Sequence, residues 1–328
     1  MANLKTVSVV VAAYNAAGTI AGVIECLLGQ DYPKDKLEVI IVDDGSTDET
    51  ARLVKEYPVK YIYQKNKGPA AARNLGWRSS TGEIVCFTDA DCMAEKAWVS
   101  KLVSKYNSKR IAGVGGSYDI MNSKNLLACC LHEEILERHL HMPEEVNYLG
   151  AFNVSYRRSV LEEVNGFDQS FRIASGEDNE LSYRIKKKGY SFIFDKNIKV
   201  SHYHPENLLK YLKRQFWHGF WRMKIYAKHP HMSKGDVYAG SLDFIRPPLA
   251  LIALILIVFS FYPPAGYMFL ILQGVLLVLQ IPLSFKIIRR TKQKKITALI
   301  AINFLRDYAR GLGMLLGVLR FFVFLKMK

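Results

Sequence analysis

The first hydrophobic pattern is Val7-Ser8-Val9-Val10-Val11-Ala12, a short, nearly unbroken apolar run rich in β-branched residues, and similar runs follow at 38–42, 60–63 and 84–88. Runs of that length read as strands buried on both faces. Between them, over 19–28, 50–57 and 70–79, apolar positions recur at helical spacing. The alternation predicts an α/β fold of Rossmann-like type, with a mostly parallel sheet flanked by helices. In such sheets ligands bind beyond the carboxyl ends of the strands. Residues 1–6 run straight into the first strand without the apolar core of a signal peptide, so the domain is expected to start and stay in the cytosol.

After residue 205 the pattern changes. Leu209, Leu212, Phe216 and Phe220 recur at three- and four-residue spacing among Lys210, Lys213, Arg214, Arg222 and Lys224. The spacing predicts an amphipathic helix over 206–228, suited equally to a membrane interface or to capping a soluble core. No charge lies between Arg246 and Lys286. Apolar spans at 248–262 and 265–285, parted by Pro263-Pro264, predict a transmembrane hairpin. The first span is short for a layer about 30 Å thick and needs Phe244 and Ile245 to complete it. Six basic residues and no acidic one follow at 286–295, which the positive-inside bias places in the cytosol. Arg306, Asp307 and Arg310 interrupt the apolar 296–326 segment, so it reads as helices lying on the surface, with Gly313 and Gly317 packed closely on the hairpin. The domain reading is therefore 1–205 soluble α/β, 206–246 interface region, 247–285 hairpin, and 286–328 polybasic loop with interfacial helices.

Charge sharpens this picture. A net +15 draws the chain to nucleic acid, acidic lipid or phosphorylated substrates. Its basic residues crowd beside the apolar spans, which favours a lipid surface over nucleic acid. The five cysteines show neither zinc spacing nor a disulfide framework, as expected of reduced thiols.

Candidate chemistry falls at strand ends. Asp43-Asp44-Gly45-Ser46-Thr47-Asp48 follows the second strand; taken alone it is a helix-capping turn. Asp89-Ala90-Asp91 closes the fourth, where a turn can bring two carboxylates onto one hard cation. The run from Lys65 through Gly68 to Arg73 and Asn74 puts glycine and cations at a helix mouth, a setting that binds phosphate. Gly176-Glu177-Asp178 enters another helix, where the dipole keeps a carboxylate ionised for work as a general base. His202 and His204 alternate on a predicted strand; a structural role is the commoner one, and a metal-ligand role for His202 is the alternative.

As a set, Tyr14-Asn15, Asp43-Asp44-Gly45-Ser46, Gly68 with Ala72-Arg73-Asn74, Asp89-Ala90-Asp91, and Glu177-Asp178 with Leu181 and Arg184 resemble the family-two inverting glycosyltransferases of the GT-A fold, over residues 5–205. The resemblance implies a nucleotide-sugar donor held by Ala13, Tyr14, Asn15, Asp43, Asp44, Lys65, Gly68, Arg73, Asn74, Asp89 and Ala90. It implies Mn2+ or Mg2+ on Asp91 with Asp89, to which the strand pattern adds His202 as a further candidate ligand. Asp178, beside Glu177, would be the catalytic base, and Gly150, Ala151, Phe152 and Asn153 would face the acceptor. Two departures narrow the reading. Met93 stands where dolichyl-phosphate mannose synthases carry glutamine, and Gln215-Phe216-Trp217-His218-Gly219 lacks the Gln-x-x-Arg-Trp motif of processive synthases.

The expectation is transfer of one hexose, mannose from GDP-mannose as first choice, to a hydroxyl of a lipid-linked oligosaccharide or glycolipid at the cytosolic face of a membrane. Polyprenyl-phosphate sugar synthesis and UDP-sugar-dependent glycolipid synthesis are the enzymatic alternatives. A noncatalytic membrane scaffold would be expected to have lost Asp91 or Asp178. A dinucleotide oxidoreductase would need Gly-x-Gly-x-x-Gly where the chain has Ala12-Ala13-Tyr14-Asn15-Ala16-Ala17-Gly18.

Overall fold

β1 (Val7–Ala13) is buried almost end to end because helices cover both of its faces. Val7, Val9, Val11 and Ala13 point into one apolar layer, Val10 and Ala12 into the other, as strand alternation requires. The computed structural model describes residues 4–234 and 241–323. Residues 1–3, the 235–240 part of the expected interface region and the 324–328 end of the last segment lie outside the described residues.

Around β1 the chain lays down β2 (Leu37–Asp43), β3 (Lys60–Tyr63) and β4 (Ile84–Asp89), all parallel, in the order β3-β2-β1-β4. Three of the crossovers are the expected helices α1 (Ile20–Leu28), α2 (Thr50–Val54) and α3 (Pro69–Arg78). Beyond β4 the sheet continues through β8 (Asn153–Arg157), β6 (Ile111–Ile120), β9 (Ser191–His202) and β5 (Cys92–Ala94), with β7 (Glu145–Val146) beside β9. There only β6 and β9 run parallel. The fold is thus a mixed α/β sheet, parallel over one half. α4 (Trp98–Ser104), α6 (Arg158–Glu163) and α7 (Glu177–Lys187) complete its covering.

Residues up to Met121 with His139–Tyr203 form one compact unit; Asn122–Arg138 and the described residues from His204 onward form a second. The segment 122–138, read from sequence as part of the 1–205 domain, groups with the C-terminal helices because α5 (Leu126–Leu140) buries Leu127, Cys129, Cys130 and Leu131 against Tyr211, Ile287 and Leu299.

The second unit contains α8 (Leu208–Lys228), α9 (Ser241–Val258), α10 (Pro263–Val278), α11 (Ile281–Thr291) and α12 (Ala298–Val318). The run Pro263–Thr291 is the one described helix long and apolar enough to cross a bilayer, with Pro263 and Pro264 opening it. α9 carries Asp243 and Arg246 inside the helix bundle. Gly313 and Gly317 pack on α8, not on the expected hairpin: a Cβ on Gly313 would meet the Phe216 carbonyl at 1.9 Å, and one on Gly317 the Phe220 carbonyl at 2.6 Å. α8 in turn buries Tyr211, Gln215, Gly219 and Met223 and leaves Leu209 76% exposed, so its inward face is not the apolar stripe read from sequence.

The charges of α12 also turn inward. Arg306 and Asp307 are 4% and 2% exposed, where a surface-lying helix would show them to headgroups. They end a ladder of alternating sign, Arg306–Glu134–Arg138–Asp243–Arg246–Asp307, with closest contacts of 2.8, 2.9, 2.6, 2.8 and 3.7 Å. Burial is tolerable because each charge has an opposite neighbour. The two arginines hold Glu134 ionised against its burial, down to about 2.

Candidate functional site

The carboxyl ends of β1, β2 and β4 bring the acidic motifs together. Ala13 hydrogen-bonds through its carbonyl to the Asp44 N–H at 2.8 Å, which sets the β1 and β2 ends side by side. Beyond β1 the chain turns at Asn15, whose φ of 50° lies in the region asparagine tolerates better than most residues. Its side-chain carbonyl accepts from the Thr47 N–H at 2.8 Å, and its own N–H donates to Ser46 Oγ at 3.0 Å. Tyr14 is exposed beside it.

Asp43 and Asp44 are both buried and both engaged. Asp43 accepts from the Ser46 N–H and the Tyr61 hydroxyl, each at 2.8 Å. Asp44 accepts from Gln64, from the Lys67 N–H and from the Gly68 N–H at 2.6, 2.9 and 2.8 Å. The expected phosphate cradle at the mouth of α3 is therefore closed by the protein's own carboxylate. Gly68 has φ +92°, and a Cβ there would lie 2.4 Å from the Arg172 carbonyl. Backbone strain and space both require glycine. Lys65 lies exposed on the same loop.

Arg73 and Asn74 differ from the sequence reading in where they face. Asn74, 1% exposed, spends its amide on Phe167 and Trp77 and so fixes the chain before α7. Arg73, 4% exposed, joins Asp89 at 2.9 Å to Glu177 at 2.8 Å. Asp89 thus faces Arg73, while Asp91 faces His202: Asp91 Oδ2 is 3.4 Å from His202 Nε2. Antiparallel pairing of β5 with β9 puts Cys92 opposite His202, and one ligand atom from each of Asp91, Cys92 and His202 lies within 4.8 Å of the others. Thr19 holds the intervening turn by donating to the Ala90 carbonyl at 2.7 Å. Cys92 is the member of this trio that sequence reading missed. The carboxylate and imidazole suit a borderline-hard divalent ion such as Mn2+, and Mg2+ would use chiefly the carboxylate.

At the start of α7, Asp178 is half-buried and accepts from the Asn179 N–H at 2.8 Å and the Tyr148 hydroxyl at 3.2 Å. Burial raises its pKa above the usual carboxylate range, against the pull of these donors and of Arg73. Burial, then the Asp178 charge, raises Glu177 to about 7 despite Arg73. The two carboxyls titrate as one system, and both move upward.

On the expected acceptor side, Phe152 stacks on Tyr118 with centroids 3.6 Å apart, and Tyr118 lies 5.0 Å from the His202 ring. Ala151 and Asn153 are buried; Asn153 bonds Trp98, Ser117 and Ile198, so its amide belongs to the framework. Gly150 sits at the loop before β8, against the Phe152 ring. Tyr118 and Tyr148 carried no motif that would have singled them out; only the fold brings them to Asp178 and His202.

Residues 8–164 match the family described as Glycosyl transferase family 2. The match covers just under half of the chain. Among relatives of this chain, Glycosyltransferase AglE of Haloferax volcanii is 29% identical, over 80% of this chain and 83% of that one. The Glucosyl-dolichyl phosphate glucuronosyltransferase of the same organism is 26% identical, over 80% and 94%. Other relatives at 31% and 26% identity are matched over only 50% and 51% of their length. In fold the chain is similar to a mannosyltransferase from Pyrobaculum calidifontis solved with GDP-Man and Mn2+, with TM-score 0.62 and 22% identity over 95% of this chain and 88% of that one.

Proposed function

We propose that the protein is an inverting glycosyltransferase that moves one hexose from a nucleotide sugar to a hydroxyl of a lipid-linked glycan or glycolipid at a membrane surface. The observation that carries this reading is Asp178, a carboxylate with raised basicity at the mouth of α7, held by the Tyr148 hydroxyl and the backbone N–H groups of Ala151 and Asn179. Asp178 takes the proton of the acceptor O–H as that oxygen attacks the anomeric carbon. The new C–O bond forms on one face while the bond to the nucleoside diphosphate breaks on the other, inverting the centre. Arg73, neutralised by Asp89 and Glu177, fixes the start of α7 and so the aim of Asp178.

Asp91 and His202 would hold Mn2+ or Mg2+, which when bound supplies positive charge against the leaving diphosphate. The Tyr118–Phe152 stack would give the acceptor sugar an apolar platform. GDP-mannose is the preferred donor, on the likeness to the mannosyltransferase that binds GDP-Man. The lipid-linked acceptor is supported by the relative named for a glucosyl-dolichyl phosphate substrate. Membrane attachment is supported by the Pro263–Thr291 helix and by the exposed Ile255, Phe261, Tyr267, Leu270 and Ile271 of the segments flanking its start, an apolar surface too large for water. On this reading the catalytic domain lies on the cytosolic side, supported by the positive-inside bias of the polybasic 286–295 run.

Incubating the purified protein with Mn2+, each common nucleotide sugar and either a glycosylated or a phosphorylated polyprenyl lipid tests the reading. Product from the glycosylated lipid supports it. Product only from the bare polyprenyl phosphate, whose anionic oxygen needs no base, would replace it with the synthase reading.

A further inference from the structure

The loop before β8 is fastened across the first turns of α7. Leu149, 2% exposed, fills the space that Gly115 of β6 leaves, and its N–H donates to Ser182 Oγ at 3.3 Å. On either side of Leu149 the same loop turns to Asp178. The Tyr148 hydroxyl donates to Asp178 Oδ2 at 3.2 Å, and the Ala151 N–H meets the same oxygen at 3.5 Å. Asp178 and Ser182 stand four positions apart on α7, on one helical face. Gly150 leaves room for the approach: a Cβ there would lie 2.7 Å from the Phe152 ring and 3.2 Å from the Tyr148 hydroxyl oxygen.

A general base must be ionised before it can take a proton, and burial works against that at Asp178. The groups that oppose burial are the Asn179 N–H on α7, Arg73 on α3, and the Ala151 N–H and Tyr148 hydroxyl on the loop. Glu177, when charged, repels Asp178, while burial and then the Asp178 charge keep the nearby Tyr156 of β8 neutral. Arg73 is already shared between Asp89 and Glu177, and the two N–H groups belong to the main chain. Tyr148 is the neutral side chain whose hydroxyl is spent on this carboxylate.

We infer that Tyr148 is the positioning residue of Asp178, its hydroxyl fixing the rotation of the carboxyl group and favouring its ionised form. The inference deepens the proposed function, resting on it for the role of Asp178 as base. The hydrogen bond and its effect on ionisation stand apart from that role. A bond donated to the charged form lowers a carboxyl's pKa, so removing the hydroxyl raises that of Asp178 and narrows the pH range in which the base is usable.

The test is an NMR titration of the full-length protein in neutral detergent, without donor, acceptor or metal. Aspartate is isotope-labelled at the side-chain carboxyl, and the Asp178 signal is identified by its loss in D178N. In Y148F the Asp178 midpoint should rise by about one pH unit. Ring-fluorinated tyrosine at position 148, a stronger donor of the same shape, should move the midpoint down, which no loss of packing does. Ser182→Ala loosens the same loop without touching Asp178 and should leave the midpoint in place. An unmoved midpoint in Y148F would overturn the inference, as would an equal rise in S182A, which would trace the effect to loop order. The acid limb of kcat in Y148F should follow the NMR midpoint upward; a uniform loss at every pH would mark a packing role and also overturn it. Turnover of D178N, read separately, reports on the base role, so failure of that reading is recognised independently of the titration.

Discussion

Arg73 Nη1 lies 2.8 Å from Glu177 Oε1, although 104 positions separate them in the chain. Both side chains are buried, so the pair couples the end of β4, through Asp89, to the mouth of α7. Breaking such a pair strands a charge and costs about 3–5 kcal/mol. Arg73→Met should therefore lower the unfolding free energy by about that amount in chemical denaturation, far more than its lost packing explains.

The same pair sets a pH dependence. Burial raises Glu177 from an ordinary 4.5 to about 7, so the folded state holds its proton longer than the unfolded one. Its stabilising contribution is fully present below about pH 4.5 and is lost as pH rises through about 7. Glu134, lowered to about 2, has the opposite sign, but its contribution is complete above its ordinary range. Between about pH 5 and about pH 7.5 the melting temperature of the wild type should fall relative to that of E177Q. Parallel melting curves of the two proteins would refute this.

Asp178→Asn removes the proton acceptor and keeps the shape. Turnover should fall about 10²–10⁴-fold while nucleotide-sugar affinity, measured by calorimetry, stays within about twofold. In the wild type the acid limb of kcat should sit above the usual carboxylate range, in keeping with the raised Asp178. Wild-type turnover in the variant would move the base elsewhere.

Asp91→Ala and His202→Ala should each weaken Mn2+-dependent nucleotide binding by at least about tenfold in calorimetry. Asp89→Asn should act differently: Asp89 faces Arg73, so its main effect should be on stability. Equal loss of metal-dependent binding in all three would return Asp89 to the metal.

The hairpin reading makes a topological prediction. Cysteines placed singly at Tyr267, 69% exposed, and at Lys294, also exposed, should react with an impermeant thiol reagent from opposite sides of sealed vesicles, in a background without reactive native cysteines. Labelling of both from one side would exclude two crossings.

The parallel half of the sheet was legible because strands buried on both faces leave apolar runs, as Val7–Ala13 does. The other half was not. β6 carries Gly113, Gly115 and Gly116, which make room for Tyr156, Leu149 and the Ile198 carbonyl; a strand cleared for its neighbours has no apolar signature of its own. In the site, the acidic motifs were visible as strings of residues, but their partners were not. That Asp44 closes α3, that Asp89 answers Arg73, and that Tyr148 reaches Asp178 are long-range pairings. The α12 charges misled for the same reason: Arg306 finds Glu134 172 positions away, and local pattern carries no trace of that.

At the crossing of α8 and α12 a Cβ on Gly219 would meet the Arg310 carbonyl at 2.2 Å, as one on Gly313 would meet Phe216. Main chain therefore touches main chain. Contact of this kind draws on dispersion between closely fitted atoms, and gains little from expelling water. Its strength should change little when the surroundings change from water to lipid or detergent. The two helices can thus stay joined through synthesis, insertion and extraction, and the unit they anchor should be as well formed in a micelle as in a bilayer.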